Sequence, residues 1–384
     1  MTRMTGPHIL AGDIGGTRAR FALLDATGRR VSHQEVLESQ GFATFEAALT
    51  RFLEGARKAG KVGKKAHDIV AASFGIAGPV VDQRVKTTNL PWTVDAETIR
   101  GVLGVAKVTL LNDLVAVGLG ALAAAPSKLK VLHLGRPRKT GGNVAVISAG
   151  TGLGEAAFVW DGQVHVPCPT EGAHVDFGPR TPLEAQLWTT LQREYGHVSY
   201  ERVCAGSTIH VLYTFFVREC YVAESKANAA QVARAEDHNV AVVELAMSGK
   251  SEAAMRAIEL WSSVYGAETG NLALKCLASS GVYVCGGTSA RLVDVLAHGL
   301  PARKPRTPGH SPFLDAFLDK GRMRPVLEQI PIAVCTEPLA GLLGAAAHAA
   351  QHAALRTSTG ERTSPAPRRP SRSRPSAPSS RRGR

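Results

Sequence analysis

Apolar positions along the chain come in short runs punctuated by glycine. Ile9 to Ile14 is apolar enough to predict a buried strand, and Gly15-Gly16-Thr17 ends it. Arg18 to Asp25, RARFALLD, then alternates polar and apolar positions up to a second turn, which predicts a β-hairpin. Phe42 to Lys58 places Phe45, Ala48, Leu49 and Phe52 on one helical face. IVAASFGI, Ile69 to Ile76, reads as a buried strand running into the Gly-Pro break of AGPV. Val108 to Leu111 predicts a strand that ends at Asn112-Asp113, and Leu114 to Ala125 predicts a helix.

The opening hairpin has an echo about 130 residues later. Val144 to Gly162, VAVISAGTGLGEAAFVWDG, repeats apolar strand, Gly/Thr turn, apolar strand and Asp-Gly turn. A repeat of so long a period predicts two related halves facing each other rather than a solenoid. A third glycine turn follows the apolar strand in VYVCGGTSA, 282–290. Helical patterns occupy much of 183–195 and 241–278, residues 301–311 read as a Pro-rich loop, and Leu339 to Ala354 predicts the last helix. Strands and helices mix throughout, so the class is α/β.

Composition narrows the picture. The 384 residues suffice for two domains, and 44% hydrophobic with 20% charged residues fits a soluble globular protein. MTRMTGPHIL holds no apolar run of signal-peptide length, and no stretch approaches the ~18 apolar residues of a membrane span. Cys168, Cys204, Cys220, Cys276, Cys285 and Cys335 make no CxxC and no zinc-type cluster, which predicts reduced thiols in a cytoplasmic protein. The net charge of +13 is uneven: residues 355–384 carry nine Arg and one Glu, or +8. This Ser, Pro and Arg segment has almost nothing to bury and is expected to be a disordered tail. It lacks aromatic stacking residues, so any contact with nucleic acid or another polyanion would be nonspecific.

Three glycine turns, each after a strand, suggest backbone amides converging on phosphate. The first is not a P-loop: Arg18 stands where a lysine would be needed, and a strand follows where a P-loop has a helix. Thr17 and Thr151 add hydroxyl donors to the turns. Asp13 ends the first strand, where a carboxylate either caps the turn or holds Mg²⁺, often through water. Asp113, between strand and helix, is either an N-cap or a general base for a hydroxyl attacking a phosphoryl group. Glu171 and His174 in PCPTEGAHVDFGP, 167–179, have ExxH spacing, but the Pro and Gly around them predict a loop and hydrogen bonds to a polyhydroxylated ligand instead of a metal. Glu201 in YERVCAGS is a further candidate acceptor.

Together these segments resemble the bacterial ATP-dependent glucokinases of the hexokinase/actin-like ATPase superfamily, over about residues 8–352. AGDIGGTRARFALLD, FGIAGPV, TTNLPW, LLNDLVAVGLGAL, SAGTGLGEA, PTEGAHVDFGP, ERVCAG, GVYVCGG, FLDKGRM and GLLGAAAH carry the resemblance, in order. It implies a two-domain actin-like (ribonuclease H-like) α/β fold with a deep interdomain cleft. Residues 1–112 with 339–354 would form the small domain and 113–338 the large one. Asp13, Gly15, Gly16 and Thr17 match the first phosphate motif, with Asp13 toward Mg²⁺. Gly150, Thr151 and Gly152 match the second, and Gly286 and Gly287 the adenosine motif. Asn112, Asp113, Glu171, His174 and Glu201 match the glucose contacts, with Asp113 as base for the 6-hydroxyl. The implied reaction is transfer of the ATP γ-phosphoryl group to D-glucose, in a homodimer.

The chain departs from the family pattern at Arg18, where Asn is usual, at Val203 to Ser207, where a Ser-Gly-Pro-Gly type sequence is more common, and in its Arg-rich tail. A kinase of another hexose such as mannose is the nearest alternative. The repressor-like sugar kinases carry a Cys-rich zinc motif near the sugar histidine, whereas this chain has only Cys168 near His174. A non-catalytic sugar sensor would need a DNA-binding module, and only about seven residues precede the first strand.

Overall fold

A computed structural model of the protein describes residues 7–63, 68–87, 89–136, 141–303 and 309–359. Two mixed sheets are built on one plan. The first runs in the order Val31–Glu38, Arg18–Asp25, His8–Ile14, Ile69–Ile76, Val108–Asn112. The second runs His165–Thr170, Leu153–Trp160, Val144–Ala149, Gly281–Cys285, Ile332–Cys335, Leu129–His133. In each, a glycine-turn hairpin carries a third antiparallel strand on its outer edge, and the hairpin's first strand pairs in parallel with a later one. The echo in the sequence is thus a repeated structural unit. A small antiparallel sheet, Val80–Val81, Arg84–Lys86 and Thr93–Asp95, follows the fourth strand.

The central strands read as unbroken apolar runs because both faces are covered. From His8–Ile14, Leu10 and Ile14 enter a core with Phe21, Phe45, Phe52 and Phe74. Ile9 and Ala11, of opposite parity, meet Leu342, Ala345, Ala346 and Ala349 of the last helix. That helix spans Ala340–Thr359, five residues beyond its predicted end, so the start of the expected tail is helical; the rest of the tail lies outside the described residues.

The helix Asp113–Leu122 lies between the sheets. Leu114 and Ala121 pack with Val144, Val146 and Phe158 of the second sheet, whereas Val115 and Ala116 pack with Leu111 of the first. A helix apolar on nearly every side is expected where it is enclosed on every side. It crosses the last helix backbone to backbone: a Cβ on Gly120 would collide with the Ala340 carbonyl, and one on Gly344 with the Ala116 carbonyl. The N-terminus of this enclosed helix, which carries Asp113, therefore opens at the junction of the two sheets.

Three local readings change. Segment 167–179 is not wholly a loop: His165–Thr170 is an edge strand and Gly172–His174 a 3₁₀ turn. Edge strands tolerate Pro167 and Pro169 because one side needs no ladder donor. The helix predicted to start at Phe42 begins at Phe45, where Thr44 accepts from the Ala47 amide. Part of the Pro-rich 301–311 stretch, 304–308, lies outside the described residues.

Candidate active site

The first glycine turn is closed by its backbone, with the Gly15 amide donating to the Arg18 carbonyl at 2.9 Å. Ser39 braces it, donating through Oγ to the Gly15 carbonyl at 2.8 Å and through its amide to the Thr17 carbonyl at 2.9 Å. A Cβ on Gly16 would lie 2.8 Å from Asn89 Cβ, so the turn packs tightly on Asn89. Thr17 and Arg18 are exposed. Asp13 lies at the end of the preceding strand. Arg20 Nη1 donates to its Oδ2 at 3.2 Å, and its carboxylate sits against Gly341 at the start of the last helix. Burial raises the Asp13 pKa, against the lowering by Arg20.

Asn112, not Asp113, caps the enclosed helix. Asn112 Oδ1 accepts from the Leu114 and Val115 amides at 3.0 and 3.3 Å, while its Nδ2 donates to the Gly78 carbonyl at 3.2 Å. Asp113 is freed from the capping role and accepts from the adjacent Leu114 amide, at 2.9 Å. Its pKa is raised, first by burial and then by the negative charges of Asp13 and Glu171, against the Leu114 hydrogen bond. Those charges link the base candidate to the phosphate side and to the predicted sugar side together.

Glu171 and His174 stand at either end of the 3₁₀ turn, with His174 Nε2 3.8 Å from Glu171 Oε2. His174 Nδ1 is 3.9 Å from Glu201 Oε1. These spacings exceed hydrogen-bond length, so the three side chains keep donor and acceptor capacity for something between them. Glu201 Oε2 is fixed by the Leu153 amide at 3.0 Å, and a Cβ on Gly152 would lie 2.5 Å from it. Glu201 therefore ties the polar cluster to the second glycine turn. Asp176, in the same segment, turns away to His197 at 2.9 Å.

The second turn closes through the Gly150 amide, which donates to the Gly152 carbonyl at 2.8 Å. The segment that departs from the family pattern holds this turn in place. The Gly206 amide donates to the Gly150 carbonyl at 2.9 Å, and Ser207 Oγ to the Thr151 carbonyl at 2.6 Å. Gly286 has φ +92°, and a Cβ there would lie 2.5 Å from the Ala149 carbonyl oxygen. Gly286→Ala is therefore expected to destabilise the fold by ~1–3 kcal/mol, which thermal melting checks.

Beside these two turns lies a cavity of about 1120 Å³ lined by Gly150, Thr151, Ser207, Gly287 and residues the sequence did not single out, among them Asp237 and Arg291. A usable signal was Asp237-His238-Asn239, a helix-start pattern: Asp237 accepts from the Asn239 and Val240 amides. Among the described residues no cluster of three or more His, Cys, Asp or Glu could cage a metal, and no helix is long and apolar enough to cross a membrane. All six cysteines are free.

Duplicated hairpin sheets, an enclosed helix presenting a carboxylate between them, and glycine turns beside a large cavity define a sugar kinase of the actin-like ATPase fold. The glucokinase family model matches residues 10–352, and the chain belongs to that family. A glucokinase of Nostoc punctiforme is 34% identical over 358 residues, 89% of this chain and 99% of that one. A glucokinase of Synechocystis sp. is 35% identical over 364 residues, 90% and 99% of the two chains. The crystal structure of a glucokinase from an Antarctic psychrotroph superposes with a TM-score of 0.72 at 26% identity, covering 90% of this chain and 99% of that one.

Proposed function

We propose that the protein transfers the γ-phosphoryl group of ATP to the 6-hydroxyl of D-glucose, giving glucose 6-phosphate and ADP. The observation that carries this reading is Asp113: relieved of capping by Asn112, half-buried, and within electrostatic reach of both Asp13 and Glu171. Glucose would lie between Asp113 and the cluster of Glu171, His174 and Glu201, whose carboxylates accept from sugar hydroxyls. Asn112 offers the second hydrogen of its Nδ2, since its other polar contacts are taken.

In the reaction Asp113 takes the proton of the 6-hydroxyl as the oxygen attacks the γ-phosphorus. The bond from that phosphorus to the β,γ-bridging oxygen breaks, and its electrons leave with ADP. The amides of the Gly15-Gly16-Thr17 and Gly150-Thr151-Gly152 turns would hold the phosphates, doing the work a P-loop lysine does elsewhere. Gly287, which lines the large cavity, would border the adenosine, with Gly286 beside it shaping the turn. Asp13 fits a magnesium ion held through water: Arg20 takes one carboxylate oxygen, and the other stays available. The ion would neutralise phosphate charge. Closure of the two sheets over the sugar would exclude water, the competing acceptor. We place the reaction in the cytoplasm, where ATP and free thiols coexist, and assign the enzyme as a homodimer, which light scattering checks.

The test is ADP release with ATP and Mg²⁺ on glucose, mannose, fructose and N-acetylglucosamine in parallel. Turnover confined to glucose is expected, because a site built from hydrogen-bonding groups rejects a displaced hydroxyl strongly. Preference for another sugar would overturn the glucose assignment. Glu171→Gln is expected to raise KM for glucose by roughly tenfold, the loss of one charge-assisted hydrogen bond, with a smaller change in kcat. An unchanged KM would remove Glu171 from the sugar site.

A further inference from the structure

Beneath the sugar-facing turn lies a buried acid pair that no step above uses. Glu155, on the strand Leu153–Trp160, is 2% exposed and sits in register with Thr170, the residue before Glu171. Thr170 Oγ1 donates to the Glu155 carbonyl at 3.0 Å and accepts from the Gly172 amide at 3.1 Å. A Cβ on Gly172 would collide with Glu155 Oε2, so the carboxyl group lies directly against the backbone of the Gly172–His174 turn.

Its neighbour is Glu268, fully buried on the helix Glu252–Lys275. Glu268 accepts from Asn271 Nδ2 at 2.7 Å and from Lys275 Nζ at 3.1 Å. Glu155 Oε1 is buried and has no hydrogen-bond partner among the described residues. Two buried carboxylates side by side repel strongly when both are ionised, and a proton on Glu155 turns that repulsion into a hydrogen bond to Glu268. Burial first, and then the Glu268 charge, push Glu155 up to about 8.

We propose that Glu155 is a positioning residue: as a neutral acid hydrogen-bonded to Glu268 it braces the turn that carries Glu171 and His174, and loss of its proton loosens that turn and weakens glucose binding. The inference rests on the reading of Glu171 and His174 as sugar contacts. The other groups facing the pair are Cys204, Cys276, Tyr200 and Lys320. Burial raises Cys204, pushes Cys276 up to about 11 and Tyr200 to about 12, so these stay neutral while Glu155 ionises. Burial lowers the Lys320 pKa, and any effect of its titration persists when Glu155 alone is changed. The pair's contribution to stability is greatest in acid and is lost as pH rises through about 8, since the folded protein holds a proton the unfolded chain has released.

The experiment is KM for glucose from about pH 7 to about pH 9 in the wild type and in Glu155→Gln, whose amide stays neutral and still donates to Glu268. The wild-type KM is expected to rise by up to roughly tenfold at the alkaline end, as the protonated form is depleted, with kcat little affected. The variant's KM should stay level. Calorimetry near the alkaline end in two buffers of different ionisation enthalpy should show proton uptake on glucose binding in the wild type but not in the variant. A level wild-type KM, or a variant that tracks the wild type, overturns the inference. If Glu155→Gln does not fold, Glu268→Gln serves instead, because removing the neighbouring charge leaves burial alone to hold the proton and should move the rise in KM to lower pH; a rise at an unchanged pH overturns the inference. The two readings fail separately: an unchanged KM in Glu171→Gln sinks the sugar contact, whereas a pH effect that ignores Glu155, with Glu171→Gln impaired, sinks only the brace.

Discussion

Asp113→Ala is expected to lower kcat by ~10² or more while the protein stays folded and KM for glucose moves only a few-fold. The side chain accepts from the adjacent Leu114 amide, and the cap of this helix comes from Asn112. Removing it therefore takes away the proton acceptor without unpinning the helix. Burial and the Asp13 and Glu171 charges raise its pKa, so in the folded protein its ionised form is held at a disadvantage. The melting temperature of the variant at neutral pH should accordingly match or exceed that of the wild type, as expected where a strained group is kept for function. The same sign governs the pH profile. A base must be ionised, so kcat/KM falls in acid, and the midpoint of that fall lies above the ordinary aspartate value. Glu171→Gln removes one of the charges that raise it and should move the acid limb to lower pH. Near-wild-type turnover in Asp113→Ala would overturn the general-base assignment.

Gly344→Ala is expected to impair both stability and turnover. Its Cβ would collide with the Ala116 carbonyl and come within 2.6 Å of the Gly120 amide nitrogen, in a contact where two helices touch backbone to backbone. No flexible side chain can yield there, so the helices must separate. Overpacking of this kind costs about 1–3 kcal/mol. The displaced helix is the one that begins with Asp113, and the displacing helix begins beside Asp13, 3.0 Å from a Cβ on Gly341. Misplacement of reacting groups by about 1 Å can cost ~10² in rate. The variant should melt several degrees lower and lose at least about tenfold in kcat. Gly101→Ala is the control: it lies in the helix Ala96–Leu103 with nothing within 4 Å of its Cβ, and should be neutral or slightly stabilising. Equal behaviour of the two variants would contradict the helix-contact argument.

Much of the fold could be read because periodicity and glycine punctuation agreed. Arg18–Asp25 and Ile69–Ile76 have the ends the pattern predicts, since buried strands leave sharp apolar boundaries. Val31–Glu38 left no such mark: it is a largely solvated edge strand whose polar composition resembles a loop. His165–Thr170 was hidden by its prolines, which an edge position tolerates. At the site, the residue types of Asp113, Glu171, His174 and Glu201 were visible in the sequence, but their convergence was not. It depends on an enclosed helix, a 3₁₀ turn and a short helix from distant parts of the chain. The capping role of Asn112 was also hidden, because Asn and Asp are nearly equal caps and only backbone geometry chooses between them. Glu155 gave no signal at all, since a lone Glu in an apolar strand acquires meaning only when Glu268 and Gly172 are set against it.

The most direct test of the central claim is the identity of the product, followed by ³¹P NMR as the wild-type enzyme consumes ATP with Mg²⁺ and glucose. The account predicts one equivalent of glucose 6-phosphate for each ADP, with no inorganic phosphate accumulating. ADP accompanied by inorganic phosphate, a phosphate on any other hydroxyl, or no turnover by the folded protein would contradict it.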